Sequence, residues 1–174
     1  VMTRESNVSQ NLVAVCPMCY NTLKLVNMSL KTNPDKLNKI NKFMDTEEPY
    51  KGEIEVIHFL ELLKEFLENK SIEKHVKRSL NGLRIASYYG CMLLRPKEVG
   101  IDDPNNPEIV ERIIGSIGGV PISYPRRDEC CGSYQTILSK EITLKKSSQI
   151  LDSAKEWDAN AIATVCPLCH FNLK

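Results

Sequence analysis

Seven cysteines are the residues of this chain that are best able to do chemistry. Thiolates bind zinc and iron–sulfur clusters, and reactive thiols carry out redox reactions. Seven of 174 residues is about 4%, below the roughly 8–10% typical of a disulfide scaffold, and an odd number cannot all pair internally. We therefore expect another role for them than disulfides. The seven are Cys16, Cys19, Cys91, Cys130, Cys131, Cys166 and Cys169.

The composition excludes several classes of protein. A length of 174 residues with 42% hydrophobic content suits one compact core, and a net charge of +1 gives no field that favours nucleic acid. The most apolar stretch, 56–63, is interrupted by His58 and Glu61, so we expect no membrane span. The first six residues are polar and do not resemble a secretion signal. We expect a reducing, cytoplasmic location, with any attachment to a membrane made through partner subunits.

Two segments of the chain are near copies of each other. Cys16-Pro17-Met18-Cys19 matches Cys166-Pro167-Leu168-Cys169 at an offset of 150 residues. Further along, Leu23-Lys24 matches Leu173-Lys174 at the same offset. So long an offset indicates duplicated domains rather than a solenoid, whose periods are about 20–50 residues. We interpret the chain as a fragment of a duplicated protein. It would comprise the end of a first domain (1–27), a helical linker region with a short strand (28–80) and a second domain (81–174).

The hydrophobic spacing predicts strands that alternate with helices. Residues 23–44 have helical spacing, interrupted at Asn33-Pro34-Asp35, and a short strand at 54–57 leads into a helix at 59–68. In the second domain we predict strands at 83–89, 120–124 and 161–165, the last of them buried, and helices at 107–117 and 139–157. This alternation is typical of an α/β fold with a mainly parallel sheet flanked by helices.

Five cysteines follow the predicted strands of the second domain. They are Cys91, Cys130, Cys131, Cys166 and Cys169, and we expect them in loops at the carboxyl ends of the strands. Such loops lie side by side in an open α/β sheet, so the five thiols should converge. A tetrahedral zinc ion accepts about four ligands, so five thiolates favour an iron–sulfur cluster. Zinc, and redox-active or inert cysteines, are the alternatives.

The complete pattern resembles the cysteine-rich "CCG" domain. It reads Tyr89-Gly90-Cys91, 38 residues, Cys130-Cys131-Gly132, 33 residues, and Cys166-Pro167-Leu168-Cys169. This domain occurs, usually twice, in the B subunit of heterodisulfide reductase. Related copies occur in iron–sulfur subunits of glycolate, glycerol-3-phosphate and lactate oxidoreductases and of some archaeal succinate dehydrogenases. The resemblance covers 83–174 as one full motif and 12–23 as the end of a preceding copy.

The resemblance implies a noncubane [4Fe-4S] cluster, with zinc as the alternative metal. The implied ligands are Cys91, Cys130, Cys131, Cys166 and Cys169, while Cys16 and Cys19 match only the last pair of a first site. Iron–sulfur clusters are easily lost in air, so we expect that an isolated fragment can lack its cluster.

The resemblance also implies an activity, which is the two-electron reduction of the disulfide CoM-S-S-CoB to two thiols. Two clusters, one for each copy of the motif, would each take one thiolate. Partner subunits with iron–sulfur clusters or a flavin would supply the electrons, and this fragment alone should be inactive. The alternatives are an electron-transfer subunit of a lactate, glycolate or glycerol-3-phosphate oxidoreductase, and a zinc-binding structural module.

Two histidines are weak candidates for the proton donor that thiol release requires. His170 directly follows Cys169, but Tyr20 takes its place in the other copy, which favours a packing role. His58 follows an apolar run, where a buried structural histidine is the common case.

Overall fold

The computed structural model describes residues 2, 11–44, 48–69 and 71–174, and the chain divides into two compact units. Unit 1 is Val1–Phe59 and unit 2 is Leu60–Lys174. The domain boundaries predicted from the sequence, at 27/28 and 80/81, stay a prediction. Most of the N-terminal segment in which we find no secretion signal lies outside the described residues.

Unit 1 combines a pair of parallel strands with two helices. In chain order these are β1 (Asn11–Ala14), α1 (Pro17–Thr32), α2 (Pro34–Met44) and β2 (Glu55–His58). Leu12 of β1 lies opposite Val56 of β2. The predicted interruption at Pro34 is confirmed, because proline cannot continue α1 but can open α2. α1 begins at Pro17, six residues before its predicted start, because proline suits the first position of a helix.

Side chains of α1 hold β2 in place. Lys24 Nζ donates to the carbonyl of Val56 at 2.7 Å, and Asn27 Nδ2 donates to that of Ile54 at 2.6 Å. The hydroxyl of Tyr50 donates to Asn27 Oδ1 at 2.6 Å. Ile54 and Val56 are fully buried. The strand is therefore secured both by apolar burial and by hydrogen bonds to its backbone.

Unit 2 contains the remaining elements. They are α3 (Phe59–Glu68, which begins at the boundary), α4 (Ser71–His75), β3 (Arg84–Tyr88), α5 (Ile109–Ser116), β4 (Val120–Ile122), a 3₁₀ helix (Ser133–Gln135), α6 (Lys140–Glu156), β5 (Ala161–Thr164) and α7 (Pro167–Leu173). The predicted strands and longer helices are confirmed to within two residues at each end. The sequence pattern does not predict α7, because seven residues are too few to show helical periodicity.

The three strands of unit 2 form a parallel sheet in the order β4-β3-β5. From the central strand β3 the chain passes to β4 on one side and then crosses to β5 on the other. The carboxyl end of β3 is therefore a topological switch point, where open α/β sheets bind ligands. This arrangement confirms the predicted fold class, a mainly parallel α/β sheet flanked by helices.

The strand predicted at 161–165 is present as β5, but the prediction that it is buried was wrong. Among the described strands β5 lies at the edge of its sheet, so Ile162 and Ala163 are only half-buried and Ala161 is exposed. No helix in the described part of the chain is long and apolar enough to cross a membrane.

Candidate metal centre

The five cysteines of unit 2 follow the three parallel strands. Cys91 comes three residues after β3, and Cys130 and Cys131 lie in the loop between β4 and the 3₁₀ helix. Cys166 is the N-cap of α7. Cys169 lies within α7, not in a loop as predicted, because Pro167 opens the helix immediately after Cys166. Three residues are almost one helical turn, which returns Cys169 to the side of Cys166.

The loop that carries Cys130 and Cys131 is tied to the end of β3 by backbone hydrogen bonds. The amides of Tyr89 and Gly90 both donate to the carbonyl of Arg127, at 2.8 and 3.2 Å. The hydroxyl of Tyr88 donates to the carbonyl of Glu129 at 2.6 Å. These bonds bring the end of the β4 loop beside Cys91.

A half-buried ion pair supports the same loop from outside. Arg127 Nη1 lies 2.6 Å from Glu111 Oε1, and the two side chains are only 13% and 14% exposed. The hydroxyl of Tyr89 donates to the other oxygen of Glu111 and accepts from the amide of Val110 at 2.9 Å. The network links α5, the end of β3 and the β4 loop.

The sulfur atoms of the five cysteines meet in contacts that cross the carboxyl end of the sheet. Cys131 Sγ lies 3.4 Å from Cys169 Sγ. Cys169 also lies close enough to Cys166, and Cys91 close enough to Cys130, for each pair to shift the acidity of its thiols. Cys131, Cys166 and Cys169 are buried, whereas Cys91 and Cys130 are partly exposed.

These contacts shift the acidity of the thiols in opposite directions. The hydrogen bond with Cys169 lowers the pKa of Cys131 and of Cys166 to about 6. The same two contacts, with Cys131 and with Cys166, raise the pKa of Cys169, so this thiol keeps its proton. Burial and the neighbouring Cys130 raise the pKa of Cys91 to about 11. At neutral pH the buried sulfurs therefore include thiolates, the form that binds metals.

Polar side chains of α6 and α7 hold the cysteine loop. Asn172 Nδ2 donates to the carbonyl of Cys131 at 3.4 Å and to its sulfur at 3.5 Å. Ser147 Oγ donates to the same carbonyl at 3.4 Å, and Thr143 Oγ1 donates to that of Gly132 at 3.4 Å. Asn172 was not among the site residues predicted from the sequence. Its position three residues after Cys169, nearly one turn along α7, is the signal that could have revealed it.

The donor chemistry fits a thiolate-bound cluster. Within residues 11–44, 48–69 and 71–174, no three or more cysteine, histidine, aspartate or glutamate side chains are already spaced as ligands of a single metal ion. The buried hydroxyl of Tyr124, in the same core cluster as Cys131 and Cys169, has no hydrogen-bond partner within those ranges. The buried, thiol-rich donor set of Cys131, Cys166 and Cys169 suits a cluster bound by thiolate and sulfide.

Comparison with known proteins agrees with this arrangement. The model of the family described as CCG, cysteine-rich domain, matches residues 85–174, just over half of the 174 residues. The chain belongs to the CCG cysteine-rich domain family. The matched residues of this CCG domain include β3 from its second residue on, β4, β5 and all five converging cysteines.

Curated relatives of this CCG protein are oxidoreductase subunits. The membrane anchor subunit of 8-methylmenaquinol:fumarate reductase from Wolinella succinogenes is 29% identical over 164 residues, covering 93% of this chain and 56% of that protein. A protein from Archaeoglobus profundus, named as similar to the B subunit of heterodisulfide reductase, is 28% identical over 169 residues, covering 94% and 56%. The B subunit of the ferredoxin:CoB-CoM heterodisulfide reductase from Methanosarcina mazei is 25% identical over 167 residues, covering 94% and 55%. The chain thus spans little more than half the length of these relatives.

Unit 1 repeats the local geometry of the last cysteine pair of the CCG domain. Cys16 caps α1 with φ −90° and ψ 121°, and Cys166 caps α7 with φ −96° and ψ 119°. In both helices proline follows the cap. Cys16 is half-buried and Cys19 is exposed. These two are the only cysteines in the sequence of unit 1, so the unit contains only the last pair of the motif.

The two histidines lie in different settings. His58 is 1% exposed, its ring packs edge-on against Tyr20, and its Nε2 donates to the carbonyl of Val15 at 3.2 Å. Burial lowers the pKa of His58 to about 4, so the ring is neutral at pH 7. His170 is exposed on α7 and lines a groove beside β5 that includes none of the cysteines. Burial gives His58 a structural role, and the groove that His170 lines includes no cysteine, so neither setting supports proton donation to the cysteine site.

Proposed function

We propose that the CCG domain holds a noncubane [4Fe-4S] cluster. The proposed ligands are Cys91, Cys130, Cys131, Cys166 and Cys169. The observation that carries the proposal is the convergence of these thiols, from the chain segments after three parallel strands, on the switch point of the sheet. By the same reasoning, Cys16 and Cys19 would be part of a second site whose other ligands lie outside this sequence.

The full protein would be a cysteine-rich subunit that reduces a small-molecule disulfide of the CoM-S-S-CoB type. The balanced reaction is R–S–S–R′ + 2 e⁻ + 2 H⁺ → RSH + R′SH. A bound cluster would supply electrons one at a time and iron with affinity for thiolate. The names of the heterodisulfide reductase relatives support this substrate class.

Burial of the sulfur atoms defines the side from which a substrate would approach. Cys131, Cys166 and Cys169 are buried against α6 and α7, and Asn172 donates to Cys131 on that side. Cys91 and Cys130 are the partly exposed pair. A disulfide would therefore arrive over Cys91 and Cys130, while the buried side anchors the cluster and excludes water.

Metal analysis after anaerobic reconstitution with iron and sulfide tests the cluster. The intact chain should bind about four iron and four sulfide ions. Cys131→Ser should lose most of this iron, because it removes a buried ligand. The matched control is Cys19→Ser, an exposed cysteine of unit 1, which should retain it. Zinc in place of iron, or equal iron in both variants, would contradict the proposal and favour a zinc-binding structural module.

A second candidate is an electron-transfer subunit of another respiratory oxidoreductase. The relative named as a membrane anchor subunit of a menaquinol:fumarate reductase favours it. This candidate includes an electron-transfer subunit of a lactate, glycolate or glycerol-3-phosphate oxidoreductase. Electron paramagnetic resonance of the reconstituted chain separates the candidates. A spectrum that changes when CoM-S-S-CoB is added supports disulfide reduction, whereas an unchanged spectrum supports electron transfer alone.

Under either candidate, other subunits that carry iron–sulfur clusters or a flavin would be the partners of this one. We propose a cytoplasmic location, with attachment to a membrane through such subunits. Co-purification of the full-length protein from membrane and soluble fractions is the direct test of this placement.

A further inference from the structure

The 150-residue repeat makes β1 and α1 of unit 1 the counterparts of β5 and α7 of unit 2. Both pairs consist of a strand, a capping cysteine, a proline and a helix. In unit 1 this strand–helix pair has a partner, because β2 lies parallel to β1 with Leu12 opposite Val56 and Ala14 opposite His58. Adding 150 to the numbers of the β1 and α1 residues that contact β2 gives their counterparts in unit 2. Those counterparts mark the place in unit 2 that corresponds to β2.

Unit 1 shows how β2 is recognised. Lys24 of α1 donates to the carbonyl of Val56, and Tyr20 packs edge-on against His58. Tyr20 is 1% exposed as a result, and Ala14 is buried. Their counterparts in unit 2 are Lys174, His170 and Thr164.

In unit 2 these counterparts line an open groove of about 540 Å³ beside β5. The residues matched by the repeat are Ala161, Ile162, Thr164, His170, Leu173 and Lys174. His170 and Lys174 are exposed, and Thr164 is half-buried, whereas Tyr20 and Ala14 are buried. The groove thus coincides with the position of β2 in unit 1.

The backbone of β5 also presents a pairing edge to this groove. Val120 N–H donates to Leu83 O, so Leu83 and every second residue after it direct their backbone groups to β4. The residues between them, including Arg84 and Ala86, direct their backbone groups to β5. With Ala86 opposite Ile162, the ladder to β3 uses Ala161 and Ala163. The N–H and C=O of Ile162 and Thr164 therefore face the groove, and the described residues place no strand there.

We infer that the groove beside β5 binds an extended peptide segment, which adds to the sheet as a parallel strand. The segment has the chemistry of residues 54–58, with apolar side chains at positions 54, 56 and 57 and polar ones at 55 and 58. Its apolar side chains would pack on Ile162, Leu173 and Leu151, and Lys174 would donate to one of its carbonyls as Lys24 does to Val56. An edge strand with unpaired backbone groups is suited to such strand addition.

A synthetic peptide of residues 53–59, labelled with a fluorophore, tests this with the intact chain. Anisotropy should show saturable binding, whereas a scrambled peptide should not bind. Leu151→Glu, which puts a charge on the groove wall, should weaken binding at least about tenfold. The matched control is Leu144→Glu, on the same helix but outside the groove, which should bind normally. The two leucines are 39% and 56% exposed, so both variants should fold.

A second variant and a cross-link test the geometry. Ile162→Pro removes a backbone donor that faces the groove and should abolish binding; circular dichroism checks that it folds. A photo-crosslinker at the amino end of the peptide should label the Asn160 end of β5, as a parallel strand requires. The inference is overturned by no saturable binding, by equal binding to Leu151→Glu and Leu144→Glu, or by labelling at the opposite end. A chain dimer that Ile162→Pro abolishes would also overturn it, in favour of pairing between two copies of β5.

Discussion

Cys131 and Cys169 are 38 positions apart in the chain, yet their sulfur atoms are 3.4 Å apart. They follow β4 and β5, which flank β3, so the two strands are separated by roughly 10 Å. The contact exists because the loop after β4, which carries Cys131, and α7, which carries Cys169, both lie at the carboxyl end of β3. Gly90 is at this point with φ +64°, and a Cβ there would lie 3.4 Å from Cys169 Sγ. The backbone that immediately follows β3 thus lies against Cys169 of the cysteine site.

Asn172 should stabilise both the cysteine loop and the Cys131 thiolate. We expect Asn172→Leu to lower the free energy of unfolding by about 1–2 kcal/mol, because it removes the bonds to the carbonyl and sulfur of Cys131. The pKa of Cys131 should rise, since a donor to its thiolate is lost. Urea unfolding and the pH dependence of Cys131 alkylation, read by mass spectrometry, measure the two effects.

The control for Asn172→Leu is Asn69→Leu. Asn69 directly follows α3, and its side chain donates an exposed hydrogen bond to the carbonyl of Glu65 in that helix. Asn69→Leu should change neither the alkylation profile nor, by more than about 0.5 kcal/mol, the free energy of unfolding. Equal alkylation profiles for the two variants would show that Asn172 does not act on Cys131.

Gly132 should be required for steric as well as conformational reasons. Its φ is +83°, and a Cβ would lie 3.2 Å from the Cα of Thr143 in α6. Gly82 has a similar φ of +75° but nothing within 4 Å of such a Cβ. We expect Gly82→Ala to cost about 1 kcal/mol and Gly132→Ala about 1–3 kcal/mol more, measured by thermal unfolding. Equal losses would mean that α6 moves away without cost.

The ion pair between Arg127 and Glu111 should matter more than the neighbouring pair between Arg126 and Glu129. The first pair is 13% and 14% exposed, the second 37% and 46%. We expect Glu111→Gln to lower the free energy of unfolding by about 2–4 kcal/mol, because Arg127 keeps a buried charge and Tyr89 loses its carboxylate acceptor. Glu129→Gln should cost less than about 1 kcal/mol. A ranking in the other order, in urea unfolding of both variants, would contradict this view of the loop.

His58 should make unit 1 sensitive to acid. Its folded pKa is about 4 and its ordinary value is 6.5, so the unfolded state binds more protons between these values. The stability is fully present above pH 6.5 and is lost as the pH falls towards 4, by roughly 3 kcal/mol. Hydrogen exchange of peptides from unit 1 measures it, because the one tryptophan, Trp157, lies in unit 2.

His58→Gln should remove most of this pH dependence, since glutamine does not titrate. The control is His75→Gln, at an exposed position of α4, which should leave it unchanged. If wild type and His58→Gln are equally sensitive to acid, the sensitivity arises from carboxylates and not from His58.

Most secondary structure of this chain follows from local rules. The strands and helices of unit 2 appear within two residues of their predicted ends because their apolar spacing and their Gly or Pro boundaries are strong signals. The exceptions have physical causes. α4 and α7, which were not predicted, are too short for a periodic pattern. The exposure of β5 depends on whether another strand lies beside it, which no local pattern records.

The sequence alone determined the identity of the cysteine set, its division into five and two, and the repeat that relates Cys16 to Cys166. These are matters of residue type and spacing, which the chain carries without folding. Only the tertiary structure decided which sulfurs touch, which are buried, that Asn172 and Tyr88 support them, and that β5 has an open edge. Those properties depend on the order β4-β3-β5, because strand order brings together residues that are distant in sequence.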